Sequence, residues 1–281
     1  MARPCALSVF WLFHDFACRY HKSVARQGRG DAQRPDKVYG QYEAMIQTRS
    51  PMHRKTLLSW STGKDSAWAV QLLRRDPRVE LAGLFCTVNA AFQRVAMHGV
   101  RIELLRRQAA ALGLPLFLID IPFPCSNAEY ESAMQAFVLQ ARADGVEAFA
   151  FGDLFLEDVR RYRERQLESS GMAALFPLWG MPTAELSRTM VAGGLRAVIS
   201  CIDPKRLPRE FAGRSYDTAF LAELPLGVDP CGEFGEFHSF AFDGPMFERP
   251  VALRVGETVE RDGFVFTDLL PADLPADLPA A

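Results

Sequence analysis

The chain has 281 residues, 49% of them hydrophobic and 23% charged. That composition excludes a disordered or collagen-like chain and sets the scale at one large or two modest domains. Lys and Arg total 32 against 34 Asp and Glu, a net charge of -2, so no broad basic field exists to capture nucleic acid, although a local basic patch is allowed.

No stretch approaches the ~18 consecutive apolar residues of a membrane span. Arg3 precedes an apolar run at 6–13, which would suit a signal peptide, but no small-residue cleavage pattern follows it. The six cysteines (Cys5, Cys18, Cys86, Cys125, Cys201 and Cys231) form no C-x-x-C pair. Buried thiols in a reducing cytoplasm are therefore expected, in place of a zinc ribbon or a disulfide framework.

Residues 1–52 are polar toward their end, with Gly28, Gly30 and Pro35, and read as a flexible N-terminal extension. From residue 56 strands and helices alternate: strand 56–60, helix 67–75, strand 81–88, helix 101–113 stopped by Gly113, strand 115–121, helix 129–144, strand 146–152 and an arginine-rich helix 156–169. Apolar strands separated by helices of this length predict an α/β fold, a parallel doubly wound sheet covered on both faces. A run at 175–179, a helix over 183–192 and a strand over 195–202 are expected to continue the alternation.

After Pro208 strand-like runs at 236–242, 251–255 and 263–267 predict a smaller mixed α+β part, with Asp262-Gly263 as a hairpin turn. The resulting division is a first domain over 53–172, a smaller C-terminal domain over 173–270, and a Pro/Ala/Asp tail over 271–281 that is expected to be disordered.

The segment Ser61-Thr62-Gly63-Lys64-Asp65-Ser66 lies between the first strand and the first helix. Ligands of α/β sheets bind at such junctions, where the helix N-terminus carries unpaired N–H groups and partial positive charge. Gly63 admits close backbone approach, Lys64 supplies a point charge that serves the anion and not a core, and Ser61 and Ser66 supply hydroxyls. A Walker A loop would need glycine where Leu58 stands, and Ser or Thr where Asp65 stands. A plain surface turn with an Asp or Ser cap is the alternative reading.

This loop resembles the S-G-G-K-D-S signature of the PP-loop ATP pyrophosphatases, in the adenine nucleotide alpha hydrolase-like superfamily. With MHGVR (97–101), ALGLPL (111–116), FGDL (151–154), PLW (177–179) and CGEFGEFHSFAFDGP (231–245), the chain is similar to the diphthine–ammonia ligase-like family over about residues 55–245. The resemblance implies a Rossmann-like sheet that uses ATP and Mg, with phosphates on Ser61, Thr62, Gly63, Lys64, Asp65 and Ser66 and the metal on Asp65.

The resemblance further implies catalytic roles for Lys64, Asp65, Glu233 and Glu236, and a nucleotide role for His98, Gly152 and Asp153. Acceptor contacts would fall to Arg160, Arg163, Gly232, Glu233, Gly235, Glu236 and His238. The partners implied are a small-molecule or protein-borne carboxylate and ammonia or an amine, in the cytoplasm, without nucleic acid or membrane; a homodimer is allowed. The expected reaction is adenylation of a carboxylate with release of pyrophosphate, then amide formation. Alternatives are a tRNA-modifying PP-loop enzyme and an ATP-binding sensor without turnover.

Two positions depart from the family pattern. Thr62 replaces a glycine, so its Cβ must avoid positive φ or accept strain. Phe234 fills a slot where a small or polar residue is expected. Several residues keep a bland alternative: the arginines as a solvated face paired with Glu157, Asp158, Glu164 and Glu168, Asp153 as a helix cap, His98 as a polar loop residue and His238 as a strand-face residue. Cys125 and Cys201 are read as buried structural thiols.

Overall fold

The computed structural model describes residues 53–89, 91–95 and 99–273. The expected N-terminal extension, His98 and the last residues of the expected tail lie outside the described residues. The first layer opens with β1 (Arg54–Ser59), α1 (Lys64–Leu73), β2 (Val79–Asn89), β3 (Arg94–Val95), α2 (Ile102–Ala111), β4 (Leu116–Ile121), α3 (Asn127–Ala143) and β5 (Ala148–Ala150). They are followed by α4 (Glu157–Glu168) and β6 (Ala173–Leu175).

Strands β4, β2, β1, β5 and β6 stand side by side in parallel, and β3 folds back antiparallel on the end of β2. The order reverses between β1 and β5. Ligands of such sheets bind at this switch point, beyond the carboxyl ends of the two strands.

Alternation along β1 decides which core each residue enters. Leu58 points into a cluster with Ala67, Val70 and Leu73 of α1 and Leu104 and Leu105 of α2. Leu57 points the other way, to Phe85, Phe149, Met134 and Val138 under α3. Helix α3 begins with a capping box, in which Ser126 and Glu129 satisfy each other's backbone N–H groups. The alternating pattern of the sequence finds α3 but starts it two residues late.

The second layer comprises α5 (Thr183–Ala192), β7 (Arg196–Ile202), a 3-10 turn (Arg209–Phe211), α6 (Thr218–Glu223), β8 (Phe237–Asp243), β9 (Leu253–Arg261) and β10 (Phe264–Pro271). Its four strands are antiparallel in the order β8-β7-β10-β9. The alternation that 195–202 is expected to continue therefore passes from the parallel sheet into an antiparallel one. Strand β7 is buried from Ala197 to Ile202, and apolar there except for Ser200, because it is central and covered on both faces. Such a run reports two covered faces and says nothing of the direction of its neighbours.

Strand β6 pairs with β5, so the parallel sheet runs on past residue 172. Pro271 ends β10, so the ordered sheet reaches into the segment expected to be a loose tail. Helix α1 lies between the two sheets, and its core cluster continues through Ala197, Ile199, Phe237 and Phe240 of the antiparallel sheet. Replacing Phe149, fully buried in the second cluster, by alanine should lower unfolding free energy by about 3–5 kcal/mol in a denaturant titration.

Candidate active site

The site is built from three chain segments that meet at the switch point. The first is the turn from β1 into α1. Thr62 has φ 69, a genuine outlier for a β-branched residue and a strain of order 1–3 kcal/mol. Its carbonyl accepts from the Ala241 N–H of β8 at 2.9 Å and from Gln108 Nε2 of α2 at 2.9 Å. The left-handed residue is thus Thr62, while Gly63 caps the helix with φ -86.

A Cβ at 63 would stand 3.3 Å from the Ser239 carbonyl, a tight contact that glycine avoids. The Lys64 N–H donates to Ser239 Oγ at 3.2 Å. Ser61 Oγ and Ser66 Oγ are 3.1 Å apart, and Ser66 Oγ also donates to the Gly63 carbonyl at 3.0 Å. Gly63 at the N-cap has no side chain to cap α1, and beyond the Lys64 N–H held by Ser239 the first turn of the helix keeps its anion-facing character.

The second segment follows β5. Gly152 lies against the backbone of Asp65 and Ser66, where a Cβ would be 3.1 Å from the Ser66 nitrogen. Asp153 Oδ2 is 3.7 Å from Arg163 Nε, and the Arg163 guanidinium sits 5.0 Å over the Phe151 ring. Burial raises the Asp153 carboxyl above its ordinary range against the pull of Arg163.

The third segment is the loop 229–236. Asp229 Oδ1 accepts from the Cys231 N–H at 2.8 Å, and Asp229 Oδ2 accepts from Thr183 Oγ1 at 2.6 Å. Gly232 and Gly235 both have positive φ, 70° and 81°. Glu236 is buried, with its oxygens accepting from Asp229 N–H (3.1 Å), Phe234 N–H (3.0 Å) and Arg206 (3.3 Å). Its carboxylate winds the loop and is not presented to a substrate.

Glu233 points the other way. Its Oε1 accepts from the Leu154 N–H at 2.9 Å, so it links this loop to the second segment. Burial pushes its carboxyl up to about 8, against the lowering effect of the Leu154 N–H and with Asp65 and Asp153 adding to the rise. The Phe234 ring meets the Phe155 ring edge-on at 5.2 Å; the aromatic departure from the family pattern closes the same seam.

Lys64 joins the segments. Its ammonium donates to Asp65 Oδ2 at 2.8 Å and to the Cys231 carbonyl, and lies 5.5 Å from the Tyr216 ring centroid and 5.2 Å from that of Phe237. Burial alone would lower its pKa; the neighbouring Asp65 charge, with Cys231 and Glu233 behind it, more than offsets this and holds the lysine protonated above its ordinary value. The expectation that this side chain serves only an anion therefore needs correction, because the lysine is also a buried strut between the two layers.

Other expected site residues fall elsewhere. Arg160 stacks over Phe176 (5.1 Å) and Trp179 (4.8 Å) and pairs with Glu164 at 2.8 Å, the paired-face alternative. Phe237 and Ser239 face α1, so alternation along β8 turns His238 to the opposite face, beside Cys201 in the strand register. The thiols of Cys86, Cys125, Cys201 and Cys231 are buried and free, and burial raises each pKa, which disfavours a thiolate nucleophile. Gln108, Asp229 and Ser239 are site residues that motif reading does not find.

The donor chemistry fits a magnesium ion that completes its shell with phosphate oxygens. Asp65 Oδ1 and Asp153 Oδ2 are buried and accept no hydrogen bond, and Mg²⁺ in phosphate sites typically takes only one or two carboxylates. Among the described residues no three His, Cys, Asp or Glu side chains form a preformed metal cage.

Replacing Lys64 by methionine should lower unfolding free energy by about 1–3 kcal/mol, because Asp65 and the Cys231 carbonyl lose their buried donor. A surface lysine would shift it by only about 0.5 kcal/mol, and a denaturant titration separates the two.

Comparison with known proteins agrees with this architecture. Family models described as the diphthamide synthase N-terminal domain and the diphthamide synthase C-terminal domain match residues 54–174 and 183–266. The chain is 27% identical over 184 residues to the diphthine–ammonia ligase of Homo sapiens, covering 60% of this chain and 67% of that protein. It is 26% identical over 191 residues to the diphthine–ammonia ligase of Bos taurus, covering 62% and 69%. The two matched stretches together span most of the described residues, and the chain belongs to the diphthine–ammonia ligase-like family.

Proposed function

We propose that this chain is an ATP-dependent ligase that activates a carboxylate and converts it to an amide with ammonia or an amine. The observation that carries the reading is the convergence of the α1 N-terminus, the charged Lys64 and the Glu233 carboxyl on one edge of the sheet. ATP is a consumed co-substrate. The substrate carboxylate attacks the α-phosphorus, the α–β bridge breaks, and pyrophosphate leaves; the nitrogen nucleophile then forms the C–N bond as AMP departs.

The chain's own groups divide this work. N–H groups and hydroxyls of Gly63, Ser61 and Ser66 orient the phosphates, and Lys64 with the helix end offsets the charge that develops on the leaving group. Asp65, with Asp153 beside it on the next loop, would hold magnesium, which when bound compensates phosphate charge. Glu233, with a pKa near 8, is tuned to take a proton from the attacking nitrogen. The names of the relatives suggest a diphthine-type carboxylate as acceptor and ammonia as donor.

The test is incubation with α-labelled ATP, magnesium, ammonium and a panel of carboxylic acids. Equimolar AMP and pyrophosphate with a new amide is the expected result. Nucleotide binding without either product across the panel would favour the sensor alternative, and salt-sensitive retention of tRNA would favour the RNA-modifying one.

Amide formation should rise with pH through about 8, and Glu233→Gln should flatten that limb while leaving nucleotide affinity in place. The same group gives a stability signature. Folded Glu233 keeps a proton that the unfolded chain loses near its ordinary pKa, so the folded state binds more protons from there up to about 8, and unfolding free energy falls as pH rises through that window. Glu233→Gln should remove that group's share of the slope in denaturant titrations run at several pH values, leaving the share of other buried carboxyls such as Asp153.

A further inference from the structure

We propose that Gln108 is the positioning residue of the phosphate loop, holding β-branched Thr62 in the left-handed conformation from which the turn into α1 is launched. The inference rests on the reading of that turn as the nucleotide site. Gln108 is fully buried on α2, far from the loop in sequence. Its Oε1 accepts from the Trp60 indole N–H at 2.9 Å, and its Nε2 donates to the Thr62 carbonyl at 2.9 Å and the Ala241 carbonyl at 2.6 Å.

The side-chain amide thus grips the residue before the loop, the loop itself and β8 at once, with all three bonds in one orientation of the amide. Thr62 has nothing of its own to hold it at φ 69, since its hydroxyl is buried and makes no hydrogen bond. What fixes it is its carbonyl, bonded to Gln108 and to the Ala241 N–H. If the carbonyl turned away, φ and ψ at 62 would relax and the direction in which the chain enters α1 would change, carrying the N–H groups of its first turn with it. The strain and its restraint are therefore a single device, and glycine at 62 would not need the restraint.

A double-mutant cycle tests this. Gln108→Met keeps the volume and removes the three bonds; Thr62→Gly removes the strain. Loss of the Trp60 and Ala241 partners is common to both backgrounds and cancels in the comparison. Gln108→Met should weaken binding of a non-hydrolysable ATP analogue by about tenfold in the native background and by less than about threefold in Thr62→Gly, with coupling of the same sign in nucleotide-free denaturant titrations. Equal losses in both backgrounds would overturn the proposal.

If Gln108→Met does not fold, Trp60→Phe removes the bond that orients the amide, and the cavity it leaves in the core is common to both backgrounds; a loss relieved by Thr62→Gly supports the proposal, and an unrelieved one overturns it. If the native protein binds no nucleotide, the functional reading fails, while the nucleotide-free cycle still decides on Gln108: coupling supports it and additivity overturns it.

Discussion

A protonated lysine buried between two layers constrains nearly everything around it. The Lys64 ammonium must find oxygen partners, and it finds one on its own helix, Asp65, and one on the far layer, the Cys231 carbonyl. That carbonyl is in place only because Asp229 and Glu236 wind the loop 229–236 by accepting its backbone N–H groups. Once wound, the loop delivers Glu233 to the Leu154 N–H and Phe234 to the Phe155 ring. One buried charge thereby links the sheet edge that meets phosphates to the loop that would meet the acceptor.

The loop and the sheet around it were legible for a physical reason. A strand, a turn containing Gly63 and Lys64, and a helix rich in Ala67, Ala69 and Val70 form a pattern with few structural solutions, and the alternation up to residue 168 needs only periodicity to be read. Directions between strands are not written in periodicity. Strand β7 is buried from Ala197 to Ile202 whether its neighbours run parallel or antiparallel, and so periodicity alone does not mark where one sheet gives way to the other.

The residues missed in the site share a second reason. Gln108, Asp229 and Ser239 act through partners distant in the chain, and no local motif announces that. For Gln108 a signal did exist: it sits one helical turn after Leu104, on the buried stripe of α2 with Leu105 and Ala109, where an amide has to have internal partners. Lys64 shows the converse. Its residue type and spacing mark it for an anion, whereas its burial depends on Tyr216 and Phe237, which no spacing from Lys64 could have revealed.

The unbroken apolar cluster that runs from the parallel sheet through α1 into the antiparallel one has a mechanical meaning. Parting the two layers like jaws would bring Ala67, Val70, Ile199 and Phe240 into water together, at about 25 cal/mol for each Å² bared. Opening by hinged halves is therefore costly, and the two layers hold together as one frame around the loops at their rim.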